Sequence, residues 1–181
     1  MSQMEIRLAG SGGQGIILAT VILAEAAVIA GKHTAQSQSY GPEARGGACK
    51  AEVIVSDEEI GFTKVRTPSF LMALTQKSLD KYSANLPKDC LVLIDDTLTA
   101  PDSIKNNKVV KLPILHTAAE KVGKLMTANI VAVAAINGLL NIVDDESLKT
   151  AVFMHIPKGT EALNQKALEE GLSLIKKGEN I

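Results

Sequence analysis

The sequence predicts an α/β fold: one domain over residues 1–181, three-layered, with a mostly parallel or mixed central sheet and a helical C-terminal third. Three observations carry this. Glu5-Ile6-Arg7-Leu8-Ala9 reads as a strand, passes into Gly10-Ser11-Gly12-Gly13-Gln14-Gly15 and opens a long apolar helix, a strand–turn–helix unit. Apolar runs of buried-strand length recur at 70–74, 90–94 and 109–112, separated by helical or turn-rich stretches. The 181 residues are 46% hydrophobic but only 3% aromatic and lack Trp, so the core consists mainly of Ala, Ile, Leu and Val, as where helices cover a sheet.

Taken in order, the helix after the glycine turn spans 16–30 and ends at Gly31. It is interrupted by Thr20 and Glu25, is shorter than the ~20 residues that cross a bilayer, and lacks a basic leader, so it reads as a buried helix. Residues 33–47 are polar, glycine-rich and without period, which predicts a long ordered loop of the functional kind. A strand over 48–56 follows, with Ala51, Val53 and Val55 on one face and Glu52 and Ile54 on the other. Asp57-Glu58-Glu59 turns towards Ile60-Gly61-Phe62, read as a hairpin partner. A helix over 76–83 separates the strands at 70–74 and 90–94, and Pro113 closes the strand at 109–112. Thr117-Ala118-Ala119-Glu120 has the pattern of a capping box. Residues 128–140 form a helix apolar almost all round, and 146–153 and 160–177 form amphipathic helices. If exposed, the 128–140 helix predicts a homodimer or higher oligomer of the isolated chain; otherwise it is buried under the sheet.

With 19 Lys and Arg against 20 Asp and Glu, no global field draws the chain to nucleic acid or anionic membrane. Two well-separated cysteines, Cys49 and Cys90, read as reduced thiols of a cytoplasmic protein. Cys49 adjoins Arg45-Gly46-Gly47, whose charge would lower its pKa, although a small buried residue is the simpler reading. None of His33, His116 and His155 has the spacing of a metal site. Asp95-Asp96 resembles a carboxylate pair, but neighbours on a strand point to opposite faces, so a strand end with an Asp turn is expected.

Gly10-x-Gly12-x-x-Gly15 has the spacing of the dinucleotide fingerprint, and its backbone N–H groups suit a phosphate or carboxylate. The acid expected about 20 residues further on is missing, since that stretch reads His33-Thr34-Ala35-Gln36. A P-loop is excluded because no Gly-Lys-Ser/Thr follows. Two readings stay open: a ligand-contacting turn, towards which Gln14 would aim its amide, or a tight turn needed only for packing. The second loop, Gln36-Ser-Gln38-Ser-Tyr40-Gly41-Pro42-Glu43-Ala44-Arg45-Gly46-Gly47, offers the amides, hydroxyls, aromatic ring and ion pair of a recognition surface. Arg45 would face either an anionic ligand or Glu43 or a partner carboxylate.

Together, Gly10-Ser-Gly-Gly-Gln-Gly15 and Gln38-Ser-Tyr-Gly-Pro-Glu-Ala-Arg-Gly-Gly47 resemble the paired signature of the γ subunit of 2-oxoacid:ferredoxin oxidoreductases. The likeness continues through Ala51-Glu-Val-Ile-Val-Ser-Asp57, Ala128-Asn129-Ile130 and the stretch from Lys158 to Gly171 with Glu161, Asn164, Lys166 and Ala167. It therefore covers nearly the whole chain and is closest to the 2-oxoglutarate enzymes.

The resemblance implies a subunit of a complex that converts a 2-oxoacid and coenzyme A to acyl-CoA and carbon dioxide, passing electrons to ferredoxin or another acceptor. It implies α and β subunits holding thiamine diphosphate and magnesium, and a ferredoxin-like δ subunit holding iron–sulfur clusters, as partners. It also implies coenzyme A contact at Gly10, Ser11, Gly12, Gly13, Gln14, Gly15, Arg45, Gly46 and Gly47, and a partner interface at Gln38, Tyr40, Gly41, Pro42, Glu43 and Arg45. No catalytic or metal-ligating residue is expected here: two isolated cysteines fall short of the four thiolates a cluster needs. The remaining alternatives are a free-standing NAD(P)-dependent Rossmann enzyme and a pure assembly subunit without ligand contact.

Overall fold

The computed structural model describes residues 3–39 and 47–176. Its centre is a six-stranded sheet in the order β2-β3-β1-β4-β5-β6. The strands are β1 (Met4–Ser11), β2 (His33–Ser39), β3 (Ala48–Ser56), β4 (Phe70–Ala73), β5 (Leu91–Asp95) and β6 (Val109–Leu112). From β1 to β6 the neighbours run parallel, whereas β3 is antiparallel to both β1 and β2. The sheet is mixed, and both of its faces are covered, as expected.

Alternation along the strands sorts the apolar residues into two cores. On one face Ile6, Leu8, Val53, Phe70, Met72 and Leu93 pack against α1 (Ile16–Ile29), α4 (Ala128–Leu140), α5 (Asp145–His155) and α6 (Glu161–Lys176). On the other, Ala9, Leu71, Ala73, Val92 and Ile94 meet Leu79 of α2 (Gln76–Tyr82) and Ile104 of a 3-10 turn, Asp102–Ile104. Glu52 points to this second face, where Arg7, opposite it on β1, donates from Nε at 2.7 Å and Lys50 from Nζ at 2.9 Å.

Several sequence expectations are corrected. Residues 33–39, read as loop, form β2. The strand is polar apart from Ala35, is held by backbone pairing to β3, and lies at the edge of the sheet, so it carries no hydrophobic period. Residues 60–62 are not a strand. The segment is instead organised by Glu5, whose Oε2 accepts from the N–H groups of Arg66 and Thr67 at 2.8 and 2.9 Å, and by Arg66 stacked 3.7 Å from the Phe62 ring. Thr117 caps nothing. The helix starts earlier, as α3 (Ile114–His116), and continues as a π-helical stretch, Thr117–Val122, inside which the Thr117 hydroxyl is buried without a partner. The cap comes from the neighbouring strand: Asp95 Oδ2 accepts from Leu115 N–H at 2.8 Å, while Oδ1 takes the N–H and hydroxyl of Thr97. Asp95 is thereby fully consumed in structure, as its reading as a strand-end turn anticipated. Helix α4 is buried from Ala128 through Asn137, so it offers no free patch, and the dimer expectation based on it loses that ground.

Candidate functional site

From β1 the chain turns left through α1 to β2 and β3 on one face, and later moves right from β4 through α2 to β5 on the other. The C-terminal end of β1 is thus a topological switch point, where open α/β sheets form their ligand crevice. The glycine turn sits there.

Each part of the turn has a local cause. Gly13 and Gly15 adopt φ of 92° and 70°, the left-handed region open to glycine. A Cβ on Gly15 would also lie 2.5 Å from Nδ2 of Asn129, at the start of α4. One on Gly10 would lie 2.6 Å from Gln14 Oε1 and 2.8 Å from Ile16. That space lets Gln14 Oε1 fold back and accept from Ser11 N–H at 2.8 Å. Gln14 is therefore not simply aimed outward; its amide oxygen holds the turn closed. Gly12 is different, since a Cβ there would meet nothing within 4 Å. Packing explains Gly10, a left-handed φ explains Gly13, both act at Gly15, and Gly12 is left without an internal reason.

The antiparallel register pairs Gly10 with Cys49 and Ser11 with Ala48. This brings Gly47 beside the glycine turn, and Ser39, opposite Lys50, leaves β2 at the same end of the sheet. Both anchors of the second motif therefore flank the first, and Gln38 is exposed near the end of β2. Tyr40, Gly41, Pro42, Glu43, Ala44, Arg45 and Gly46 lie outside the described residues. Tyr82 of α2 ties this end down, its hydroxyl donating to the Ala48 carbonyl at 3.1 Å.

Two cavities share Gly13 and Met126. The larger, about 260 Å³, is lined by Gly15, Leu18, Lys124, Asn129, Ile130, Ile156 and Thr160, among others. The second, about 210 Å³, is lined by Gln14, Leu115, Leu125 and Ala128. Thr127 donates to the Lys124 carbonyl at 2.8 Å, fixing a 3-10 turn, Leu125–Thr127, from which Leu125 and Met126 project 57% and 77% exposed. No acid stands in the first turn of α1, so the positive end of that helix dipole is not neutralised there. The result is a groove with apolar walls, a lysine and the N-terminal end of α1 beside it, suited to a slender ligand with an anionic part.

Asn129 and the Leu125-Met126 pair were not recognised as site residues from the sequence. Asn129 is only 5% exposed, lines the larger cavity, and its amide bonds to no described side chain or backbone group. Its one sequence signal is an amide in the first turn of an otherwise apolar helix.

Cys49 and Cys90 are buried free thiols facing opposite sides of the sheet, so they cannot ligate a common metal. Burial raises the pKa of Cys49, outweighing backbone hydrogen bonds, which overturns the activated reading. Burial pushes Cys90 up to about 11. Among the described residues no three His, Cys, Asp or Glu side chains converge as metal ligands, and no helix is long and apolar enough to cross a membrane. The dinucleotide fingerprint is not completed either. The parallel neighbour of β1 is β4, whose end reads Ala73-Leu74-Thr75 without an acid, and β2 lies beyond β3.

The fold and site define a mixed α/β module with a glycine turn at its switch point and a second motif rooted beside it. The chain belongs to the pyruvate ferredoxin/flavodoxin oxidoreductase family, whose model matches residues 5–174. It is 45% identical to 2-oxoglutarate synthase subunit KorC of Methanocaldococcus jannaschii, over 95% of this chain and 94% of that protein. It is 34% identical to ketoisovalerate oxidoreductase subunit VorA of Methanothermobacter thermautotrophicus, over 97% of this chain but 36% of the longer relative. The structure superposes on the γ subunit of a keto/oxoacid ferredoxin oxidoreductase from Geobacter sulfurreducens with a TM-score of 0.85 at 40% identity, covering 98% of both chains.

Proposed function

We propose that this protein is the γ subunit of a cytoplasmic 2-oxoglutarate:ferredoxin (acceptor) oxidoreductase, a single γ-type domain supporting coenzyme A-dependent oxidative decarboxylation without carrying a redox centre. One observation carries the reading: a chain matching 2-oxoglutarate synthase subunits nearly end to end roots both signature motifs at the same sheet end, Ser11 opposite Ala48. Thiamine diphosphate, magnesium and the clusters belong to α, β and ferredoxin-like δ subunits.

Coenzyme A is the ligand we assign to the groove. Gly13 and Gly15 of the turn line the groove, Lys124 offers a cation, and Leu18, Ile130 and Ile156 offer an apolar wall for the thiol-bearing arm; the remaining turn residues from Gly10, with Arg45, Gly46 and Gly47, are assigned to the same ligand from the sequence motif. This chain's share of the work is to bind and orient; the chemistry proceeds on the other subunits. Gln38, Tyr40, Gly41, Pro42, Glu43 and Arg45 are assigned to the contact with those subunits.

The test is purification of the native complex through a tag on this chain, identification of co-purifying polypeptides by mass spectrometry, and an assay of 2-oxoglutarate- and coenzyme A-dependent viologen reduction. Recovery of cluster- and thiamine-binding subunits with activity is expected. Arg45→Ala with Gln14→Ala should raise the KM for coenzyme A. Weakened association with unchanged turnover per assembled complex would instead mark a pure assembly subunit, and recovery of the chain alone with bound NAD(P) would mark a free-standing enzyme.

A further inference from the structure

The two outer edges of the sheet are built differently. Strand β6 has four residues, carries Lys111 and is followed by Pro113, features that blunt an edge against further pairing. Strand β2 has seven residues, His-Thr-Ala-Gln-Ser-Gln-Ser, without proline, lysine or carboxylate. Its register with β3 runs unbroken from His33 opposite Ser56 to Ser39 opposite Lys50. Among the described residues, no backbone group of β2 bonds to any element except β3. Alternate N–H and C=O groups along its outer side are left for another strand.

Helix α1 adds a second, independent observation on the same flank. Its only polar side chains are Thr20 and Glu25. Thr20 marks the β2 side, its Oγ1 accepting from Gln36 Nε2 at 3.1 Å. Glu25 and Leu18 mark the other side, where His155 approaches Glu25 at 4.0 Å and Ile156 shares a cavity with Leu18. Between them, next to Thr20 around the helix, run Ile17, Val21, Ala24 and Val28 at the spacing of one helical face. The first three are half-buried and Val28 is 53% exposed. A surface helix ordinarily places polar residues there.

We propose that this flank is a homodimer interface, in which β2 of one copy pairs antiparallel with β2 of a second about a two-fold axis at Gln36. The two sheets join, and the apolar stripes of the two α1 helices meet above the seam. The occupant is a second copy because the surface is self-complementary. The two-fold sets Ala35 opposite Ser37, Thr34 opposite Gln38 and His33 opposite Ser39, so no like charges face each other. Lys32, at the start of the strand, is neutralised within its own chain by Asp57 at 2.6 Å.

The full chain is examined by sedimentation velocity over a concentration series, beside two double variants. Since Gln36 reaches α1, Ala35 and Ser37 point to the opposite face, so replacing them leaves the packing of α1 on β2 intact. Ala35→Lys with Ser37→Lys sets like charges opposite one another in both symmetry-related pairs; Ala35→Lys with Ser37→Glu sets opposite charges there. The wild type should be a dimer, the Lys/Lys variant at least about tenfold weaker in association, and the Lys/Glu variant close to wild type. Both variants should keep the wild-type far-ultraviolet circular dichroism. A monomeric wild type, or Lys/Lys and Lys/Glu variants that associate equally, overturns the proposal. So does a monomeric wild type whose Lys/Lys variant loses other subunits during purification of the complex, which would assign the edge to one of them.

Discussion

Gly12 and Gly15 stand in one turn and answer to different demands. Gly15 combines φ of 70° with Asn129 in the way of any Cβ, so Gly15→Ala should lose about 2 kcal/mol or more of stability, read by urea unfolding. Gly12→Ala should leave stability within about 0.5 kcal/mol, because open space receives the methyl. In the assembled complex the same methyl should raise the KM for coenzyme A. With coenzyme A in the groove as proposed, Asn129→Ala should do likewise, with kcat less affected.

The thiols give a pH prediction. Cys90 keeps its proton in the folded chain up to about 11 against an ordinary value of 9.0, so the unfolded chain ionises first. Stability should therefore be unaffected by this group below pH 9 and fall as pH rises towards about 11. At pH 8 iodoacetamide should label Cys49 and Cys90 in the denatured chain and not in the native one; rapid native labelling of Cys49 would contradict its burial.

At the scale of elements, α4 and α6 cross at Gly171. A Cβ there would lie 2.4 Å from the Val131 carbonyl oxygen and 2.7 Å from the Ala134 Cβ. Gly171→Ala gains about 1 kcal/mol of helix propensity but forces backbone apart, so a net loss of about 1–2 kcal/mol is expected, seen as a lowered Tm. What the sequence showed of these elements followed their burial. Strand β3, with Val53 and Val55 on one face and Glu52 and Ile54 on the other, was legible because its β-branched residues recur at the period of a strand buried on both sides. Strand β2 was not, because an edge strand of Gln, Ser and Thr draws its order from a neighbour's backbone. Thr117 misled for a related reason: its cap was supplied by Asp95, a residue distant in sequence, and no local pattern records that.

At the scale of the molecule, the fold class was readable from composition and the strand–turn–helix unit, while the strand order was not. Antiparallel β3 wedged beside β1 is a long-range pairing, and it alone unites two motifs that stand apart in the chain. The candidate groove was half legible for the same reason: its glycine turn is a local motif, whereas Asn129 and Met126 arrive from the C-terminal third. The Arg7–Glu52–Lys50 group holds that pairing from the second face. Glu52→Ala should leave two cations crowded and weaken the fold by roughly 2–4 kcal/mol, measured against wild type at equal ionic strength.

The same strand order dictates a sequence of events during synthesis. Residues 4–11 are made early, yet their partners span 48–56 and 70–73. At ~5–20 residues per second, roughly 3–12 s pass between the emergence of β1 and that of its second neighbour. For that interval at least one edge of this apolar strand stays open beside an apolar helix, while β2 and β3, once both are made, can close as a hairpin. An apolar strand that waits for a neighbour made much later is an aggregation hazard of the nascent chain until β4 arrives.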